Sequence, residues 1–287
     1  MVYFKNFHTS LSLFKNNPKI VVPGIWAMLM GLAFSFFFVL INDLIPVLLR
    51  DPSALFIAGG LPAVAKKISS VLITHSQLLK IGISLAGFIM ANFFAGSTLI
   101  GMRFSMINEI IKGKKVKARK SFFKGMTYYW QIVEMRVMVF IFIILLSILL
   151  SLPLFIVARY VGGNDIIVVA SVIIILLLIK LLLLFRYPIM FKHNSKAIPA
   201  LTKSMAFFKK YIKYTFVVWL ITLFLVFAIS VFFDLFRSIL SDYFYSFVGW
   251  AIILLVFYII KEFIMVFVNT FIDLFGFVSY VKHKRRD

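Results

Sequence analysis

The sequence contains no cysteine, which excludes disulfides, thiolate metal sites and cysteine nucleophiles. Acidic residues are nearly as scarce, with Asp and Glu totalling 10 against 31 Lys and Arg. Charged residues are 14% of the chain, whereas a soluble domain carries about a quarter. His8, His75, His193 and His283 fall in loops or tails and make no H-E-x-x-H spacing. There is no G-x-S-x-G elbow, no P-loop, and no hydrophilic stretch long enough for a separate catalytic domain. No catalytic set, cofactor or metal site is therefore expected.

What is abundant is apolar surface. Hydrophobic residues make up 63% of the chain and the mean hydropathy is +1.05. A water-soluble globule cannot hide so much, so the solvent for most of it must be lipid. The net charge of +21 would suggest nucleic acid in a soluble protein. Beside membrane spans, lysines and arginines instead follow the positive-inside rule and meet anionic headgroups. Membrane lipid is the expected partner, with an unidentified protein partner also open, and nucleic acid is not expected.

Six apolar runs are long enough to cross about 30 Å of hydrocarbon. They cover about 20–41, 78–102, 132–158, 166–185, 212–233 and 247–278. Unbroken runs of this length exclude barrel strands, so the expected fold is all-α, a polytopic six-helix transmembrane bundle forming one domain over 1–287. The first run is too long for a signal-peptide core and has no small-residue cleavage site, so it reads as a retained span.

The basic residues set the expected orientation. One face receives Lys5, Lys15, Lys19, Arg103, Lys112, Lys114, Lys115, Lys117, Arg119, Lys120 and Lys124. It also receives Arg186, Lys192, Lys196, Lys203, Lys209, Lys210, Lys213, Lys282, Lys284, Arg285 and Arg286. The other face has Arg50, Lys66, Lys67, Lys80, Arg159 and Arg237, diluted by Asp43, Asp51, Asp165 and Asp242. This bias places the basic face and both termini in the cytoplasm of a cell membrane protein. Segment 52–77 reads as an outer amphipathic or re-entrant element, with a seventh span as its alternative.

Ahead of the first, third and fifth spans lies a similar basic segment. Each has a serine (Ser10, Ser121, Ser204), a Phe-Lys pair (Phe14-Lys15, Phe123-Lys124, Phe208-Lys209) and a following tryptophan. Phe4, Phe7, Leu11 and Phe14 form one stripe; Leu201, Met205, Phe208 and Ile212 form another, opposite Lys203, Lys209 and Lys210. The pattern suggests three modules, each a basic interfacial helix followed by a transmembrane hairpin. Convergence on a basic, aromatic, then apolar order explains it equally. Lys114, Lys115, Lys117, Arg119, Lys120, Lys124, Lys203, Lys209, Lys210 and Lys213 are the candidate contacts to anionic lipid.

These motifs also carry a resemblance. The Ser10-x-x-x-Phe14-Lys15-x-Asn17-Pro18-Lys19 pattern, Lys120-Ser-Phe-Phe-Lys-Gly125, and Ala200-Leu-x-x-Ser204 with Lys209-Lys210 resemble a broad prokaryotic family of six-span membrane proteins. That family is similar to the membrane domain attached to some glycerophosphoryl diester phosphodiesterases. The resemblance implies a fold and a membrane location. It supplies no activity, since the soluble phosphodiesterase barrel has no counterpart here.

Ionisable groups within spans are costly and default to functional candidates. In the last span Tyr258, Glu262, Met265, Asn269 and Asp273 fall on one helical stripe, beside Lys261. Glu134, Arg136 and Lys180 read as headgroup-level side chains whose stems carry the charge to the interface. In the second span Ser84, Gly87, Ala91 and Ala95 form a small-residue face suited to close helix packing, with Asn92 beside it. The leading functional expectation is a non-enzymatic, lipid-associated or complex-organising membrane component. A transporter subunit using the stripe, and an intramembrane lipid enzyme using Glu262 or Asp273, are the alternatives.

Overall fold

A computed structural model of the chain describes residues 2–41, 75–161, 166–244 and 250–284. Segment 52–77 lies outside them except for its last three residues, where a helix begins. The helices are α1 (Val2–Asn16), α2 (Val22–Ile41), α3 (His75–Ile111), α4 (Ala118–Met126) and α5 (Tyr129–Val161). They continue with α6 (Ile166–Leu182), α7 (Arg186–His193), α8 (Ala197–Lys210), α9 (Ile212–Phe244) and α10 (Trp250–Lys284). No strand occurs among the described residues, and the all-α expectation holds.

Six helical stretches are long and apolar enough to cross a membrane: Pro18–Phe38, Gly82–Ile111, Tyr129–Leu149, Val172–His193, Ile212–Ile239 and Leu255–Lys284. Their large side chains face outward. Ile83, Leu149 and Phe224 are 66%, 68% and 69% exposed, which in water would be prohibitive and in lipid is not. Helix α3 has 37 residues, about 55 Å at 1.5 Å per residue, and so continues well beyond its apolar run. That extension carries Arg103, Asn108 and Glu109 in helical register.

The chain divides into two compact units. The first joins 1–22, 97–227 and 268–287, and holds nearly all the basic segments. Its core comes from the last turns of α3 (Met106, Ile107), from α5 (Ile132, Met135), from α7 (Ile189, Met190, Phe191) and from α10 (Leu274, Phe275, Phe277), all essentially fully buried. Phe104 of α3 stacks on Tyr187 of α7 at 4.9 Å and on Phe277 of α10 at 6.4 Å between ring centroids. The three rings thus join α3, α7 and α10. A second cluster packs Ile175, Ile179 and Leu183 against Phe142, Ile143 and Leu146 of α5, with Leu201 and Met205 of α8 upon it.

The short helices dock by small polar residues. Asn17 and Pro18 end α1, with Asn17 Nδ2 donating to the Leu13 carbonyl at 2.9 Å. Ser10, Ser121 and Ser204, the serines of the three basic segments, are buried to 1% exposure or less. Asn6 Nδ2 donates to Tyr214 Oη at 3.0 Å, which donates to the Ser279 carbonyl at 2.9 Å, tying α1 to α9 and α10. The anticipated α1 stripe divides. Phe7 and Phe14 pack edge-on against Phe271, whereas Phe4 is 83% and Leu11 49% exposed.

Close backbone approach occurs at a pair of glycines on α3 and α4. A Cβ at Gly101 would lie 2.7 Å from the Gly125 carbonyl oxygen, and one at Gly125 would lie 2.5 Å from the Gly101 carbonyl carbon. The small-residue face expected at Gly87 makes no such approach, because a Cβ there meets nothing within 4 Å among the described residues. Gly87 is exposed, so its small size permits packing that no neighbour among the described residues supplies.

The second unit joins 23–96 and 228–267. Within it Phe34 and Phe38 of α2 meet Phe88 of α3, and Phe233 of α9 meets Phe257 of α10. Lys261 is paired with Asp234 at 3.1 Å, neutralising both charges on adjacent helices.

Candidate functional site

The first unit contains a partly open cavity of about 270 Å³ whose polar wall is Lys180, Arg186, Tyr187, Trp219, Asn269 and Asp273. Leu184, Leu223, Val226 and Ile272 supply an apolar wall. Four elements converge here for local reasons. Lys180 closes the apolar run of α6, and Arg186 opens α7 after a tight turn in which its N–H donates to the Leu183 carbonyl at 3.2 Å. Trp219 and Thr222 lie one turn apart on α9, with Thr222 Oγ1 donating to the Trp219 carbonyl at 2.7 Å. Asn269, Asp273 and Gly276 follow at spacings of four and three on α10, which puts them on one face.

Asp273 is held by Arg103, whose Nη1 donates to Oδ2 at 2.8 Å. The pair is partly buried, with side-chain exposures of 16% and 29%. Arg186 leans over the Tyr187 ring at 4.7 Å and donates through Nη1 to the Leu183 carbonyl. The Nε atoms of Arg103 and Arg186 are buried without a hydrogen-bond partner among the described residues. Arg136, which donates to Ser97 Oγ at 3.0 Å, lies within electrostatic reach of Arg186. Cations thus outnumber the one carboxylate on the cavity wall.

The last-span stripe falls into two parts. Asn269 and Asp273 line this cavity in the first unit. Glu262 accepts a hydrogen bond from Tyr258 in the second unit, next to the Lys261–Asp234 pair. Lys180 is exposed and on the cavity wall, while Glu134 is exposed on α5. Among the lipid-contact candidates, Lys114, Lys115, Lys117, Arg119, Lys120, Lys203, Lys209, Lys210 and Lys213 are exposed. Lys124 is instead turned toward Glu109, at 3.5 Å.

Glu109 was not legible as a site, although it is the only acid between Arg103 and Lys124. It is buried to 5% exposure and accepts from Ser121 Oγ at 3.0 Å, clamping α4 to α3. Beside it, partial burial and then the ammonium groups of Lys124, Lys192 and Lys114 hold Lys112 below its ordinary value, against the opposing pull of Glu109. Burial pushes the Tyr128 phenol up, and its hydroxyl donates to Asn194 Oδ1, the left-handed residue that ends α7. Arg186 was also missed as a cavity residue, and Arg103 as the partner of Asp273, because each follows an apolar run and so counts first as loop charge. The repeated Arg-aromatic dipeptide was the signal available.

No protein-family model matches the chain, and no curated protein or solved structure matches it either. The helices and their outward apolar faces define an all-α, multi-pass membrane protein. Its activity has to be read from its own residues.

Proposed function

We propose that the protein is a non-enzymatic, lipid-associated component of the cell membrane, with its basic face and both termini in the cytoplasm. One observation carries this reading. Each short basic helix buries a small serine and exposes large apolar side chains beside its cations. On α1 the exposed pairs are Phe4 and Leu11 with Lys5 and Lys15; on α4 they are Phe123 and Met126 with Arg119 and Lys120. On α8, Ile198 is exposed along with Lys203 and Lys209. A helix facing water would expose cations without Phe and Leu, whereas one lying at headgroup depth wants both.

Each lysine near an anionic surface contributes about 1 kcal/mol, fading within a Debye length. The full chain in bilayer discs of mixed phosphatidylcholine and phosphatidylglycerol provides the test, with spin-labelled lipids reporting the boundary layer. Neutralising Lys203, Lys209 and Lys210 together to Gln lowers the preference for phosphatidylglycerol and its salt dependence. An unchanged preference overturns the reading.

A further inference from the structure

We propose that the cavity among α6, α7, α9 and α10 is a binding site for a phosphate-ester anion, held by Arg186 and Lys180. This goes beyond the surface reading, and neither depends on the other.

Charge is the first argument. Lys180 and Arg186 line the cavity, and the carboxylate on its wall, Asp273, is already engaged by Arg103 at 2.8 Å. Uncompensated cations among membrane-spanning segments are costly unless an anion or water meets them. Bound anion supplies the missing charge. Arg186 also has donor capacity to spare: among the described residues its side chain makes one hydrogen bond, from Nη1 to the Leu183 carbonyl. A guanidinium in that state suits a planar or tetrahedral oxyanion with several acceptors. Asn269 and Thr222 add neutral hydrogen-bonding groups to the same wall.

Size and polarity narrow the class. The cavity of about 270 Å³ falls just below the roughly 300–1,000 Å³ that encloses a drug-sized ligand. It admits a phosphate with a short ester arm. The apolar wall of Leu184, Leu223, Val226 and Ile272 suits a ligand whose ester arm is partly apolar. Two sources share this chemistry, the headgroup of an anionic glycerophospholipid and a soluble phosphate ester. Among the described residues a Cβ at Gly276 would meet nothing within 4 Å, so a larger side chain there grows into free space at the cavity wall.

Trp219 on the wall gives a built-in reporter. The full chain carries Trp26→Phe, Trp130→Phe and Trp250→Phe, leaving Trp219 to be read by fluorescence in phosphatidylcholine discs. Glycerol 3-phosphate is titrated in one arm and phosphatidic acid is doped into the discs in another, with sodium gluconate as a phosphate-free anion. A saturable change with either phosphate probe is expected. Saturation by glycerol 3-phosphate marks a soluble ester as the source, and saturation by phosphatidic acid alone marks the lipid headgroup. Affinity falls about tenfold or more in Arg186→Gln and in Lys180→Gln, as for loss of a charge-assisted contact. Gly276→Leu, which leaves every charge in place, abolishes the response by occupying the cavity. The lysine triple variant at 203, 209 and 210 retains it. Absence of saturation with both phosphate probes overturns the proposal. So does an equal response to gluconate, or binding undiminished in both Lys180→Gln and Gly276→Leu.

Discussion

Arg103 and Asp273 stand 170 positions apart in sequence, yet their side chains meet at 2.8 Å. The contact joins α3 to α10 within the first unit and sets the carboxylate at the edge of the cavity. Removing one partner leaves the other charged and half-desolvated, which is worse than removing both. Asp273→Asn is expected to destabilise the protein by roughly 1–3 kcal/mol, less than for a fully buried pair since both side chains keep some exposure. The double variant Arg103→Gln/Asp273→Asn recovers part of that loss. A double-mutant cycle on thermal unfolding in detergent checks the sign, and strict additivity would contradict it.

The α3–α4 crossing should be intolerant of a single methyl group. Gly125→Ala forces a carbon to within 2.5 Å of the α3 backbone, and a loss of about 2 kcal/mol or more is expected because backbone cannot yield. Gly87→Ala, made where nothing lies within 4 Å, is expected to stabilise its helix by up to about 1 kcal/mol. Opposite signs in melting temperature for these two chemically identical changes are the readout.

The three buried serines should not be equivalent. Ser121 Oγ donates to the buried Glu109 carboxylate, so Ser121→Ala is expected to cost about 1–3 kcal/mol. Ser10 Oγ donates to the Asn6 carbonyl one turn back at 2.8 Å, a local bond of a kind that adds little to a helix. Ser10→Ala is expected to cost below about 1 kcal/mol. Limited proteolysis between α3 and α4 gives an independent readout, with faster cleavage in Ser121→Ala alone.

Alkaline stability should carry a signature of Lys112. Its folded value lies below the ordinary 10.5, so in the window beneath 10.5 the unfolded chain holds more protons. Stability therefore gains a contribution that rises with pH there. Tyr128, raised above its ordinary 10.0, contributes the opposite slope from pH 10.0 upward. The difference between wild type and Lys112→Gln isolates the lysine, and a difference that falls with pH in that window would contradict this account.

Much of the fold was legible, and the reason is physical. Hydropathy over 20 residues reports whether a segment can sit in hydrocarbon, and the six long helices follow. Which way a helix faces is another matter. The stripe through Phe4, Phe7, Leu11 and Phe14 was legible as the apolar face of an interfacial helix; that Phe7 and Phe14 turn onto Phe271 was not. Phe4 and Leu11 stay exposed, while Asn6 and Ser10 are buried. The polar stripe of α10 was legible as a set of positions. The partners of Asp273 and Lys261 were not, since they lie on other helices and no local pattern encodes them. The serines of the basic segments were visible as a motif, but their burial required the structure.

The Arg103 contact also bears on the order in which the chain is made. The Glu109–Ser121 clamp closes over 12 residues and is available as soon as α4 has emerged, at small loop-closure cost. The partner of Arg103 arrives with the last helix. Until α10 is made, Arg103 at the end of the α3 apolar run lacks its counter-ion, so a chain stalled before that point carries an unpaired charge there. Making α10 thereby neutralises a charge left open when α3 was made.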